Sequence, residues 1–193
     1  LSLLLPCPLQ LEHDANSAAW GEYRCGAARG ADNWVLFALG TGIGGAMMQG
    51  GEIYRGAYGT APEFGHLTVV PEGRPCSCGK RGCLERYCSG TALVTTAQEL
   101  SESGRYFSRL TDGLVAGSVT GTDVVSAARQ GDELALAAID DFATWLGRGL
   151  SMVGDVFDPE LIVIGGGVAS APDLYLDKAK AEFARNLTGA GYR

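Results

Sequence analysis

The sequence predicts an α/β domain, and three observations carry that prediction. Two short apolar runs of strand character, Trp34–Leu39 and Leu161–Ile164, alternate with segments of helical period. Between them Leu134, Ala138, Phe142, Trp145, Leu146, Leu150 and Val153 recur at three and four, the stripe of a helix packed on a core. Glycines follow both apolar runs directly, at Gly40–Gly45 and Gly165–Gly167, as turns at strand ends require.

Taken in order, Pro8–Glu12 reads as a short strand. Asp14 to Tyr23 reads as a helix, capped by Asp14 or Asn16, with Ala15, Ala18, Ala19 and Tyr23 near one face. Gly26–Gly30 is a loop and Trp34–Leu39 a buried strand. Gly40–Gly45 turns the chain into a returning strand over Ala46–Gln49, and Gly50-Gly51 and Gly56–Gly59 are further turns. Leu67–Val70 reads as a strand entering a cysteine-rich loop. Ser89 caps a helix over Thr91–Ser101, and residues 102–119 read as loop. Thr122 or Asp123 starts a helix ending near Gly131, and the striped helix follows. Asp158-Pro159 breaks the chain before the buried strand Leu161–Ile164. Ser170, Pro172 and Asp173 then have the Ser-x-x-Asp pattern that opens a last helix.

The 193 residues suffice for one large domain, and 46% apolar against 19% charged residues excludes disorder. Glycine is in excess, 29 residues, about twice the usual ~7%. The net charge of −7 argues against broad binding to nucleic acid or anionic membrane, though not against a phosphate held by backbone amides. Leu3–Leu5 is the longest N-terminal apolar run and Pro6 ends it, so neither signal peptide nor membrane span is expected, and a cytoplasmic location is. The chain lacks an initial Met and is expected to be cut from a longer protein.

Gly40-Thr-Gly-Ile-Gly-Gly45 formally matches a dinucleotide fingerprint. Only Ala46–Gln49 separates it from the next glycine pair, which leaves no room for the helix such a site needs. It lacks the Lys of a Walker loop as well. A tight hairpin turn and a nest of N–H groups aimed at an anion both stay open, with Thr41 adding a hydroxyl.

His66 precedes Cys76-Ser-Cys78-Gly-Lys-Arg-Gly-Cys83 by ten residues. One imidazole and three thiolates make a closed tetrahedral set, the arrangement of structural zinc, and a disulfide framework is the lesser alternative in a chain without a signal peptide. Cys7, Cys25 and Cys88 read as buried apolar residues. The loop brings two carboxylates with it, Glu63 three residues before His66 and Glu85 two after Cys83. Rigidly held acids suit a polyol, whose hydroxyls donate to them, but solvated acids and a Glu85–Arg86 ion pair compete with that reading. Asp14 reads as a helix cap, or as a carboxylate placed to take a proton from an attacking hydroxyl.

Together Leu11-Glu-His-Asp-Ala-Asn-Ser-Ala-Ala-Trp-Gly-Glu22, Leu39-Gly-Thr-Gly-Ile-Gly-Gly45, Glu63-Phe-Gly-His66, Cys76-Ser-Cys-Gly-Lys-Arg-Gly-Cys-Leu-Glu85 and Ile164-Gly-Gly-Gly167 resemble the ROK family of repressors and sugar kinases, in particular its bacterial glucokinases. The resemblance implies an actin-like, ribonuclease-H-like ATPase fold, with residues 1–28 the remnant of a small lobe and 29–193 the large lobe. It implies transfer of phosphate from ATP, with Mg2+, to the 6-hydroxyl of glucose. Asp14 becomes the general base. His13, Gly42, Glu63, His66 and Glu85 become sugar ligands, and Gly40, Thr41, Gly165 and Gly166 approach the nucleotide. His66, Cys76, Cys78 and Cys83 hold structural Zn2+, and the full-length form is expected to be a homodimer.

Two departures from the family pattern stand out. His13 replaces the family's Asn before the aspartate, which opens fructose, mannose or an N-acetylhexosamine as substrates, because imidazole cannot copy a carboxamide's paired donor and acceptor. The family's Asp-x-Gly-Gly-Thr phosphate loop is absent from these residues, so the chain alone is expected to turn over little ATP. A sugar-responsive repressor of the same family is the alternative; it would recognise sugar without needing a base.

Overall fold

A computed structural model of the protein describes residues 11–189. Pro8–Gln10 of the first expected strand, and Cys7, lie outside them; Leu11 and Glu12 carry no regular structure.

The element order is α1 (Asp14–Cys25), β1 (Trp34–Leu39), β2 (Ile43–Gln49), β3 (Glu52–Ile53), α2 (Gly90–Glu102), α3 (Thr111–Val115), α4 (Gly121–Arg129), α5 (Glu133–Phe157), β4 (Leu161–Gly165) and α6 (Pro172–Asn186). The four strands form one mixed sheet in the order β3-β2-β1-β4. β1 pairs antiparallel with β2, Trp34 opposite Met48, and parallel with β4, Trp34 opposite Leu161. The parallel pair needs a long crossover, and the segment from α2 to α5 supplies it.

Strand alternation divides the core between the two faces of the sheet. Val35, Phe37 and Leu39 point to one face, where Leu93, Val124, Leu134, Phe142 and Leu146 meet them from α2, α4 and α5. Trp34 and Leu36 point to the other, against Ala15 and Ala19 of α1. Fully burying each large side chain of this kind contributes ~1.5–3 kcal/mol. Of the expected α5 stripe only Trp145 is incompletely buried. α6 lies close to α5 because Gly147 has no Cβ; one there would sit 2.5 Å from the Ala179 carbonyl oxygen.

Several boundaries differ from the sequence expectation. Neither Asp14 nor Asn16 caps α1: His13 is the N-cap, Asp14 is the first helical residue with Oδ1 accepting from the Ala15 N–H at 2.8 Å, and Asn16 is buried. Ala18, expected on the packed face, is exposed. The first glycine turn shortens to Gly40–Gly42, because β2 takes in Gly44 and Gly45; a Cβ on Gly45 would lie 2.8 Å from the Phe64 ring. Leu67–Val70 forms no strand. It keeps one bridge, Thr68 to Cys83, since its backbone closes the loop instead, Val69 N–H to Gly82 carbonyl at 2.8 Å. α4 is capped by Thr120, which exchanges bonds with Asp123. β4 is only partly buried apart from Val163, as an edge strand is. Ser170 does not cap α6; its hydroxyl donates to the Gly167 carbonyl at 2.7 Å, while Asp173 pairs with Arg129 at 3.1 Å. Cys88 is buried as expected, but Cys25 is exposed. Among the described residues no helix is long and apolar enough to cross a membrane.

Candidate functional site

The loop from 63 to 88 folds around a cluster of four potential ligands. A 3-10 turn over Phe64–His66 delivers His66, and a second over Leu84–Arg86 follows Cys83. The chain closes tightly because Gly82 has φ +75 and a Cβ there would lie 1.6 Å from the Val70 carbonyl oxygen. The ligand atoms of His66, Cys76, Cys78 and Cys83 all lie within 4.8 Å of one another. Cys78 and Cys83 sulfurs are 3.6 Å apart, and Cys76 sulfur is 3.7 Å from His66 Nδ1. A tetrahedron with ~2.3 Å metal–sulfur bonds has edges of about 3.8 Å, so the set fits a tetrahedral metal with no open position. Without a cation, burial pushes the Cys83 thiol up to about 12 and also raises Cys76, while a hydrogen bond from the Lys80 backbone lowers Cys78. A bound cation would therefore expel protons from the two raised thiols.

Glu85 stands between this cluster and the glycine turn. Its Oε1 accepts from the Cys76 thiol at 3.2 Å and lies 3.9 Å from His66 Nδ1. Its Oε2 presses on Gly42, where a Cβ would be 2.6 Å away. The expected competitor, an ion pair with Arg86, does not form among the described residues.

Beyond Glu85 opens a cleft of about 540 Å³ lined by Asp14, Ala18, Gly40, Thr41, Gly42, Glu85 and Gly166. Asp14 lines it with a side chain 98% exposed to solvent, and His13 Nδ1 stands 3.6 Å from the carboxylate. Glu12 fixes the segment just ahead: it accepts from the His13 N–H and Asn16 Nδ2 at 3.0 Å each and from Arg55 Nε at 3.1 Å. Those bonds, Asn16's foremost, hold its carboxyl down at about 2.

A second cavity, of about 660 Å³, shares Gly40 and Thr41 with the first. It runs between the N-terminal ends of α2 and α4, past Thr91, Thr95, Thr120 and Thr122, to Gly167 and Ser170. The two helix starts abut because both carry glycine; a Cβ on Gly121 would lie 2.7 Å from the Gly90 carbonyl oxygen. The Gly90 N–H donates to the Gly40 carbonyl at 2.8 Å, tying α2 to the glycine turn.

The structure thus brings Asp14, Gly40, Thr41, Gly42, Glu85 and Gly166 to one cleft and sets His66 beside Glu85. Glu63 and Gly165 line neither cavity; Glu63 is exposed ahead of the His66 turn, and Gly165 ends β4 opposite Ala38. The threonines of the second cavity escaped sequence reasoning. The cap pattern Thr120-x-x-Asp123 marks one helix start, but no pattern reveals that the two starts meet.

The ROK family pattern matches residues 1–191. A glucokinase of Streptomyces coelicolor is 40% identical over 190 residues, 96% of this chain and 60% of its own length. The xylose repressor of Bacillus subtilis is 30% identical over 180 residues, 93% of this chain and 43% of its own. A ROK family glucokinase from Streptomyces griseus, solved in complex with glucose and AMPPNP, matches all of the chain with a TM-score of 0.86 and 39% identity, over 62% of its own length. The chain therefore spans about 60% of the length of the glucokinases that it matches. The order of its blocks, the mixed sheet and these matches together establish that the chain belongs to the ROK family and carries the actin-like ATPase fold of its sugar kinases.

Proposed function

We propose that the protein, at its natural length, transfers a phosphoryl group from ATP to the 6-hydroxyl of glucose. The observation that carries this reading is the junction of two cavities at Gly40 and Thr41. One cavity has carboxylates at its wall and suits a polyol; the other has two helix N-termini and suits a nucleotide. A phosphoryl group passing between them would cross the glycine turn.

Asp14 is the general base in this reading. Its exposed carboxylate lines the cleft and, among the described residues, takes one backbone bond, from Ala15, with His13 3.6 Å away, which leaves Oδ2 to accept the proton of an attacking hydroxyl. Glu85 accepts from sugar hydroxyls across Gly42, with Glu63, His66 and His13 completing the sugar site. His66 would bind metal through Nδ1, which leaves its Nε2–H as an oriented donor. His66, Cys76, Cys78 and Cys83 would hold Zn2+, which supplies rigidity and activates no water, since protein fills all four positions. Gly40 and Thr41, shared by both cavities, serve the nucleotide phosphates, which Mg2+ accompanies, and Gly165 and Gly166 approach the nucleotide by leading into Gly167, which lines its cavity. Residues 1–28 are the edge of a small lobe and 29–193 the large one, and the chain of 193 residues alone has low turnover. We further assign the enzyme to the cytoplasm as a homodimer.

A panel of hexoses offered with ATP tests the reading, glucose being phosphorylated fastest and Asp14→Ala abolishing turnover. Faster turnover of fructose, mannose or an N-acetylhexosamine would trace to His13. A second reading, a sugar-responsive repressor, draws on the 30% identity to the xylose repressor. It predicts sugar binding unaffected by Asp14→Ala and no phosphorylation at any length of chain.

A further inference from the structure

We infer that Arg74 is a positioning residue that holds the Cys83–Glu85 segment in place, and through it both a metal ligand and the carboxylate of the sugar site. Arg74 lies two residues ahead of Cys76 and, with Tyr87, Thr96 and Glu99, lines a cavity separate from the cleft; its side chain is 14% exposed. Its guanidinium bonds three residues on two elements, the Leu84–Arg86 turn and α2. Nη1 donates to the Arg86 carbonyl at 2.7 Å, Nη2 to Thr96 Oγ1 at 3.0 Å, and Nε to Glu99 Oε1 at 3.0 Å, with a second bond from Nη2 to Glu99. The plane lies over Tyr87, 4.8 Å from its ring centroid, and the Tyr87 hydroxyl accepts from the Arg74 N–H at 2.8 Å. The Arg74 carbonyl accepts from the Gly82 N–H at 2.9 Å.

These contacts enclose the turn over Leu84–Arg86 from behind. Glu85 extends forward to Gly42, and the next residue's carbonyl is held by Arg74. Thr96 and Glu99 belong to α2, whose first residue is bonded to the glycine turn. Arg74 thus links the metal loop to the helix that opens the second cavity. A bidentate guanidinium with a third donor has this geometry, and an ammonium does not. The proposal concerning Glu85 rests on the sugar role proposed above; the one concerning Cys83 does not.

The test compares wild type, Arg74→Ala, Arg74→Lys and Glu99→Gln, the last keeping the guanidinium but loosening its seat. Zinc release to a chromophoric chelator is followed with each protein folded, as judged by circular dichroism. Arg74→Ala is expected to release zinc about tenfold faster, Glu99→Gln less so, and Arg74→Lys to restore little. In the natural-length enzyme the KM for glucose should rise about tenfold in Arg74→Ala while the KM for ATP moves little, and the melting temperature falls because the partners of the guanidinium lose their donor. A purely structural role would lower stability and the active fraction and leave zinc release and the glucose KM alone. Unchanged zinc release in both Arg74→Ala and Glu99→Gln overturns the inference. Faster release with no glucose binding by wild type upholds Arg74 and instead removes the sugar reading.

Discussion

Gly42→Ala perturbs one contact by a known amount. The added Cβ would start 2.6 Å from Glu85 Oε2. Ordinary contact needs about 3.4 Å, so the carboxylate must retreat by roughly 0.8 Å. It is the end of a flexible side chain, and the glycine has no positive φ that alanine would strain. The fold should therefore lose less than ~1 kcal/mol. The sugar site should lose far more, because a hydrogen bond to a charged group is worth ~1.5–3 kcal/mol, about ten- to a hundredfold in affinity. Calorimetric titration of glucose and a thermal melt on the same samples separate the two quantities. Gly82→Ala is the control: its Cβ would meet the Val70 carbonyl oxygen at 1.6 Å, backbone cannot step aside, and the loop and its metal should be lost. Glucose affinity in Gly42→Ala equal to wild type would falsify the placement of Glu85 at the sugar.

Asp14→Asn should lower kcat about 10²–10⁴-fold with little change in stability, since the side chain is exposed; steady-state kinetics and a melt decide, and a retained kcat removes the base. Cys78→Ser, or chelation, should release one equivalent of zinc and loosen residues 63–88; metal analysis with hydrogen exchange reads both, and unchanged metal content refutes the ligand set. Glu12 has its carboxyl held near 2, below the ordinary 4.5, by Asn16 first and Arg55 next. Its stabilising contribution is therefore full above pH 4.5 and is lost as pH falls toward 2. Glu12→Gln should flatten the melting temperature across that window relative to wild type, and parallel profiles would contradict the assignment.

The central strand β1, its neighbours β2 and β4 and the long helix were legible because burial imposes period: Trp34–Leu39 divides its side chains between two cores, and α5 repeats at three and four. The two-residue β3 is too short to show a period, and Leu67–Val70 has the composition of a strand it does not form. The grouping of His66 with Cys76, Cys78 and Cys83 was legible because donors at short spacing along the chain need no distant partner to meet. What escaped depends on tertiary closeness. Ser170 has the pattern of a cap, yet its hydroxyl closes on Gly167 and Ala171 is the N-cap residue of α6. Gly44 and Gly45 read as turn but serve as strand, since α1 and Phe64 press on them from elsewhere in the chain. Cys25 reads as apolar and is exposed because it ends a helix at the surface. Glu85 announced itself by its distance from Cys83, but its contact with Gly42, and the meeting of Gly90 with Gly121, belong to the fold.

A crystal structure of the zinc-loaded protein with glucose tests the central claim most directly. The expected result has the 6-hydroxyl within hydrogen-bond distance of Asp14 and ring hydroxyls on Glu85 and His66, with zinc on His66 and the three cysteines. A hexose seated away from Asp14, or a sugar site intact around a metal-free loop, would contradict it.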